Sequence, residues 1–163
     1  MIRKLLVNAV VTSVMIFGLI AAADNKDKNA KDEKGEHKTA HGGCLNAIGT
    51  CENGHAEVKI QDGVLKLWLV GGGSDTVKAV RITDKEINLS ITIDGEKDQK
   101  TLLLKAKPNV LAEEKEGDCS SFEGKADWLK GIKKFVATAT INFKGKKQEL
   151  KIEYPAGYDP DDE

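Results

Sequence analysis

Hydrophobic and polar side chains alternate along most of the chain between residues 56 and 154. The clearest run covers residues 87–93, where Ile87, Leu89, Ile91 and Ile93 alternate with polar residues. Strict alternation places one side of an extended segment against a core and the other side in water, as in an antiparallel sheet. The same pattern predicts further strands at residues 56–60, 65–69, 80–82, 102–106, 135–143 and 150–154.

Turn signals separate these segments. A residue followed by glycine suits the tight turn of a hairpin, which needs positive φ angles. Three such dipeptides lie between pairs of predicted strands: Asp62-Gly63, Asp94-Gly95 and Lys144-Gly145. Residues 125–132 have the only helical pattern, with Trp128, Leu129 and Ile132 on one face. Seven to eight short strands with one short helix favour a mainly β fold, an immunoglobulin-like antiparallel β-sandwich, with a small β-barrel as the alternative.

The first 23 residues have the features of an export signal. Arg3 and Lys4 precede an apolar stretch from Leu5 to Ile20, and Ala21-Ala22-Ala23 satisfies the small-residue rule for cleavage. The apolar stretch is shorter than the ~20 residues that span a bilayer. We therefore expect a signal peptide at residues 1–23, a secreted or periplasmic location, and no membrane span in the mature chain.

Composition divides the remainder of the chain. Residues 24–40 contain no Leu, Ile, Val or aromatic side chain, which predicts a flexible charged linker. The predicted β-domain covers residues 41–158, and residues 159–163 form a short acidic tail. The chain carries 25 basic and 26 acidic residues. This balance argues against a nucleic-acid partner, because nucleic-acid binders carry a basic excess or stripe.

Candidate chemistry is concentrated at the start of the β-domain. His41, Cys44, Cys51 and His55 form the pattern H-x2-C-x6-C-x3-H, and Glu57 follows two residues later. Imidazole and thiolate groups are natural ligands of zinc and copper. The spacing matches no standard zinc motif. The candidate metal ligands are therefore His41 and His55, joined by Cys44 or Glu57.

Disulfide formation competes with this interpretation. Cysteines of exported proteins are usually oxidised, so we expect one disulfide among Cys44, Cys51 and Cys119, with the pairing left open. Such a bridge is compatible with a site made from two histidines. The chain contains no nucleophile elbow, no phosphate-binding loop and no dinucleotide fingerprint, so no set of residues predicts an enzyme.

The H-G-G of residues 41–43, followed by H-A-E-V at residues 55–58 and then Asp62-Gly63, resembles a group of small exported bacterial β-domains. Related short stretches occur in periplasmic adaptor subunits of heavy-metal efflux systems. The group is largely uncharacterised. The resemblance implies an exported β-sandwich with metal contact and no established activity. The three cysteines and the acidic C-terminus depart from the pattern of the group.

Two hypotheses follow from the sequence. The first is an exported, non-enzymatic binding module that takes a zinc or copper ion through the His and Cys residues at the domain entry. The alternative is a disulfide-stapled structural or protein-interaction β-domain that binds no metal and offers an edge strand to a protein partner.

Overall fold

The computed structural model describes residues 38–162, which form eight strands and four single turns of 3₁₀-helix. The predicted signal peptide, the linker up to residue 37 and Glu163 lie outside the described residues. The strands are β1 (Cys44–Ile48), β2 (Thr50–Gln61), β3 (Val64–Val70), β4 (Glu86–Ile93), β5 (Gln99–Ala106), β6 (Ser121–Lys125), β7 (Phe135–Phe143) and β8 (Lys146–Tyr154). The 3₁₀ turns are Gly73–Asp75, Val110–Ala112, Asp127–Leu129 and Pro160–Asp162.

All eight strands belong to one antiparallel sheet in the order β1-β2-β3-β6-β5-β4-β7-β8. The two outer strands of this order approach each other, because the backbone N–H of Glu153 in β8 donates to Oδ1 of Asn46 in β1 at 2.8 Å. Just after β8, the backbone oxygen of Tyr158 accepts the N–H of Ala47 at 2.7 Å, and the N–H of Tyr158 donates to Leu45 O at 3.2 Å. The sheet therefore curls into a nearly closed, barrel-like shape.

The mainly β prediction is confirmed, but the described residues do not show the sandwich, because every strand belongs to a single sheet. The alternative prediction, a small barrel, fits this arrangement. Alternation cannot separate the two folds, since in both of them each strand has one side facing the core and one facing outward.

Most of the predicted strands coincide with β2, β3, β4, β5, β7 and β8. Residues 80–82 form no strand. Ile82 takes part in an isolated bridge with Cys119, and the preceding residue, Ala79, in one with Val70. The turns at Asp62-Gly63 and Lys144-Gly145 have positive φ at both residues, as hairpin turns of type I′ require.

The helix predicted over residues 125–132 is wrong in length. Lys125 ends β6, and only Asp127–Leu129 form a 3₁₀ turn. The residue before this turn, Ala126, and the residue after it, Lys130, have extended backbone conformations. The apolar face predicted there does pack inward, because Leu129 is fully buried and Trp128 and Ile132 pack partly against the core. No helix in the described part of the chain is long and apolar enough to cross a membrane.

Large apolar side chains fill the inside of the sheet. Phe122, Phe135, Phe143 and Leu104 are at most 1% exposed, and the inward residues of β2, β3 and β4 join them. Burial of this kind stabilises the fold by about 25 cal/mol per Å² of apolar surface. The groups available for binding therefore lie on the outer face of the sheet and in its loops.

Candidate functional site

Glu57 is a carboxylate buried on the outer face of the sheet. Its neighbours Ala56 and Val58 point into the core, so Glu57 points to the opposite face. It is nevertheless 0% exposed. Residues 40–43, which we call the strap, lie over it. The carboxylate accepts hydrogen bonds from the N–H groups of Ala40 (3.1 Å), His41 (2.8 Å) and Gly43 (2.8 Å), and its Oε2 lies 2.9 Å from Nδ1 of His41.

These hydrogen bonds keep Glu57 ionised. Burial alone would raise the pKa of this carboxyl, but the bonds from the N–H of Gly43 and from the side chain and N–H of His41 outweigh it and lower the pKa. An ionised carboxylate can only accept hydrogen bonds, so Nδ1 of His41 carries the proton. In the neutral ring, Nε2 then keeps its lone pair.

A second contact fixes the plane of the His41 ring. The ring stacks on the indole of Trp68, with centroids 4.1 Å apart and planes 1° from parallel. Trp68 is the residue of β3 directly opposite Glu57 in the β2–β3 register. Lys59 adds a hydrogen bond from Nζ to the backbone oxygen of His41 at 3.0 Å. The imidazole is therefore held through its Nδ1 and its face, while the His41 side chain remains 38% exposed.

The two glycines after His41 allow this arrangement. A Cβ atom on Gly43 would lie 2.5 Å from Val58 O, which is closer than side chains approach a backbone oxygen. Gly42 has a φ of 68°, in the left-handed region that favours glycine. The H-G-G sequence thus lets the strap reach the Glu57 carboxylate.

His55 lies on the same face of β2 as Glu57 but has a different partner. The side chain is 2% exposed. Its Nδ1 lies 3.2 Å from the backbone oxygen of Gly71, so this nitrogen is the donor. His55 therefore supports the loop that follows β3. The same loop fastens the start of the described chain, because Thr76 Oγ1 donates to the backbone oxygen of Lys38 at 2.7 Å.

Cys44 is not brought to the His41–Glu57 pair. It is opposite Val58 in the β1–β2 register, so its side chain belongs to the face that Val58 presents to the core. Its sulfur lies 3.6 Å from the backbone oxygen of Val58 and 4.0 Å from that of Glu153. Burial raises the pKa of the Cys44 thiol, which disfavours the thiolate that binds metals.

The expected disulfide is not seen, since none of the three cysteines in the described residues is part of one. Each sulfur has its own surroundings. Cys119 Sγ lies 3.1 Å from the backbone oxygen of Ser121. Cys51 is grouped with Asp159 and Asp161 of the C-terminal segment, with ligand atoms within 4.8 Å of one another. This last group could not be predicted from the sequence, because more than a hundred residues separate Cys51 from the two aspartates.

A second buried carboxylate, Glu114, was not singled out by the sequence. It accepts hydrogen bonds from the N–H of Asn109 (2.9 Å), the N–H of Ser120 (3.2 Å) and the hydroxyl of Ser120 (2.5 Å). Arg81 Nε lies 3.8 Å from it. Burial would raise the pKa of Glu114, but these hydrogen bonds lower it. This cluster ties together the loop between β5 and β6.

Comparison of the chain with protein families, with curated proteins and with solved structures gives no significant match. The resemblance based on the H-G-G and H-A-E-V motifs therefore stays a prediction.

Proposed function

We propose that this chain is an exported, non-enzymatic binding module that takes up a zinc or copper ion at Nε2 of His41. The observation that carries the proposal is the hydrogen bond between Nδ1 of His41 and the buried carboxylate of Glu57. A histidine that ligates a metal almost always donates its other N–H to a carboxylate, a backbone carbonyl or a water molecule. Such a partner fixes the tautomer and makes the ligating nitrogen more basic.

The state of Nε2 supports the same function. Among the described residues, this nitrogen has no hydrogen-bond partner, whereas the other ring nitrogen and the ring face are both engaged. An imidazole that is oriented in advance suits a borderline ion such as Zn²⁺ or Cu²⁺. His41 would supply one imidazole ligand to the ion.

This proposal gives Glu57 a role other than that of a ligand. All four hydrogen bonds to its oxygens come from the strap, so its charge serves to orient His41 and is not directed at an ion. We propose binding and not catalysis, because no hydroxyl or thiol side chain is hydrogen-bonded to His41 or Glu57 within the described residues.

Titration of the purified protein with Zn²⁺ and with Cu²⁺ by calorimetry tests the proposal. His41→Ala should abolish the binding event that involves this imidazole. Glu57→Gln keeps a similar shape but loses the charge, and we expect the dissociation constant to rise about 10–100-fold, the usual cost of removing an orienting partner. Cys44→Ser is the matched control and should bind like the unaltered protein.

Nuclear magnetic resonance separates loss of binding from loss of folding. The imidazole signals of His41 should shift or broaden at low metal ratios, before those of His55. A folded His41→Ala variant that binds the metal as tightly as the unaltered protein would exclude this site. Loss of binding in Cys44→Ser would instead assign the ion to the cysteine.

A further inference from the structure

The loop between β5 and β6 exposes two neighbouring aliphatic side chains. Val110 is 81% exposed and Leu111 is 97% exposed, more than any other large hydrophobic residue that the structure describes. We call Val110 and Leu111 the apolar tip. Single exposed apolar residues are ordinary on protein surfaces, whereas contiguous exposed apolar surface is typical of interaction sites.

Hydrogen bonds order the loop that carries this tip. Asn109 caps the 3₁₀ turn, because its Oδ1 accepts the N–H of Leu111 at 3.1 Å. Behind the tip, Glu114 fastens both ends of the loop through Asn109 and Ser120. Arg81 also donates to the backbone oxygen of Ala112. A loop that is already ordered loses little conformational freedom when it binds, which favours recognition.

A partly apolar groove lies on the same chain. The side chains of Ile60, Ile132 and Tyr154 line it above the fully buried Leu129, together with Gly63, Gly131 and the charged residues Asp62 and Lys130. Its volume is about 380 Å³, within the range of about 300–1,000 Å³ that is typical of ligand pockets. The groove can therefore receive aliphatic side chains such as those of the tip.

The tip and the groove lie at opposite ends of β6. The loop that carries the tip leads into the start of β6 at Ser121. The groove residues 129–132 come after the end of β6 at Lys125. The β3–β6 register agrees, since Ser121 is opposite Trp68 and Lys125 is opposite Val64, next to the turn that helps to form the groove. At about 3.3 Å per residue, β6 separates its two ends by roughly 13 Å. The tip of one molecule therefore cannot enter its own groove.

The charges around the two surfaces are complementary. Glu113 and Glu116 are exposed beside the tip, as are Lys107 and Lys115. Glu114 and Asp118 add two acidic groups, and Arg81 offsets one of them. Lys133 and Lys134 are exposed directly after Ile132 of the groove. In the groove, the negative charge of Asp62 offsets one of these lysines. The charge of Lys130 is already paired with that of Asp127, at 2.8 Å. A small acidic excess thus surrounds the tip, and a small basic excess follows the groove.

We propose that the apolar tip of one molecule inserts into the Ile60–Tyr154 groove of a second copy of this chain. This inference does not depend on the metal site. The contact joins two different surfaces, so it is head-to-tail and leaves one tip and one groove unused in each dimer. Association should therefore continue beyond the dimer as the concentration rises.

Sedimentation velocity over concentrations up to about 1 mM tests the proposal, since an interface of this small size is weak. The unaltered chain should show an average mass that rises with concentration. Leu111→Asp should raise the dissociation constant at least tenfold. Val77→Asp is the matched control, because Val77 is a 60% exposed valine on a different loop, and it should associate like the unaltered chain.

Mixing two variants gives the sharper test. Ile132→Asp blocks the groove, and Lys133→Glu is a second groove variant at an exposed position, in case Ile132→Asp unfolds. A folded tip variant and a folded groove variant should each be monomeric alone. Mixed, they should form a dimer that does not grow, because the only tip and the only groove still intact come from different molecules. An unaltered chain that remains monomeric, equal association of Leu111→Asp, or a mixture without dimer would each overturn the proposal.

Discussion

The side chain of Asn46 accepts the backbone N–H of Glu153 through Oδ1 at 2.8 Å, at the place where the first and last strands of the sheet meet. On the other side of the same amide, Nδ2 donates to the backbone oxygen of Ala56 at 3.3 Å. Asn46 is 0% exposed. One buried side chain thus supplies hydrogen bonds that link β8 to β1 and β2.

Replacing Asn46 by Ala should destabilise the protein. The change leaves the N–H of Glu153 and the oxygen of Ala56 without these partners in a buried place, at a cost of about 1–3 kcal/mol in the free energy of unfolding. Urea unfolding should show a lower midpoint with an unchanged slope. Asn88→Ala, on the exposed side of β4, should alter stability by no more than about 0.5 kcal/mol. An unaltered midpoint in Asn46→Ala would show that the seam closes without this amide.

Stability should depend on pH through Glu114. The pKa of this group is lowered in the folded protein, so its contribution is fully present above the ordinary pKa of a glutamate, about 4.3. The contribution is lost as the pH falls through the lowered pKa of the folded state. Glu114→Gln should therefore be less stable than the unaltered protein at pH 7, by about 1–3 kcal/mol, and this gap should narrow in acid.

Urea unfolding at a series of pH values from neutral to acidic measures this gap. Glu116→Gln serves as the control, because Glu116 belongs to the same loop and is exposed. A gap for Glu114→Gln that stays constant over the whole series would mean that its charge does not stabilise the loop.

Alkylation should distinguish Cys119 from Cys44. Cys119 is 0% exposed. Burial and the nearby charge of Glu114 raise the pKa of its thiol, although the hydrogen bond to Ser121 acts in the opposite direction. Because the thiolate is the reactive form, Cys119 should be labelled by iodoacetamide only when the protein unfolds. Cys44 is half-buried and should react earlier. Peptide mass spectrometry of a time course measures both rates, and equal labelling of the two thiols in the folded protein would contradict this order.

Export should remove the first 23 residues. In a bacterial host with a general secretion pathway, we expect a purified product that starts at Asp24, which the intact mass reports. Val11→Asp places a charge in the apolar stretch and should block processing, because the stretch must enter an apolar environment. Val11→Leu is the control and should be processed normally. A cytoplasmic product that keeps Met1 would exclude the signal peptide.

The strands missed by sequence pattern have clear physical reasons. Three of the five residues of β1, Asn46, Ala47 and Ile48, are buried in succession, so no alternation marks this strand. In β6, the inward positions are Phe122 and Gly124, and a glycine gives no hydrophobic signal. Gly124 is needed there, since a Cβ atom would lie 2.5 Å from Leu104 Cδ2.

The candidate site was only partly predictable. The sequence identified His41 and Glu57 as candidate metal ligands, and the structure brings them together. It could not show that Glu57 is buried, because alternation with Ala56 and Val58 places this residue on the face predicted to meet water. Glu57 is buried because the strap covers it, and this is a tertiary contact. The only sign of it in the sequence is the pair of glycines after His41. The stacking of His41 on Trp68 depends on the β2–β3 register and has no signature in the sequence.

The fastening of the strap has a mechanical consequence. Along the chain, the bond of Lys38 to Thr76 comes first, and the bonds of Ala40, His41 and Gly43 to Glu57 follow in order. A force applied to the chain ahead of residue 38 would load these bonds one after another and not all at once. The strap would detach from the outer face before any tension reached β1. In a molecule held by its N-terminal segment, these bonds would therefore break while the sheet stayed folded.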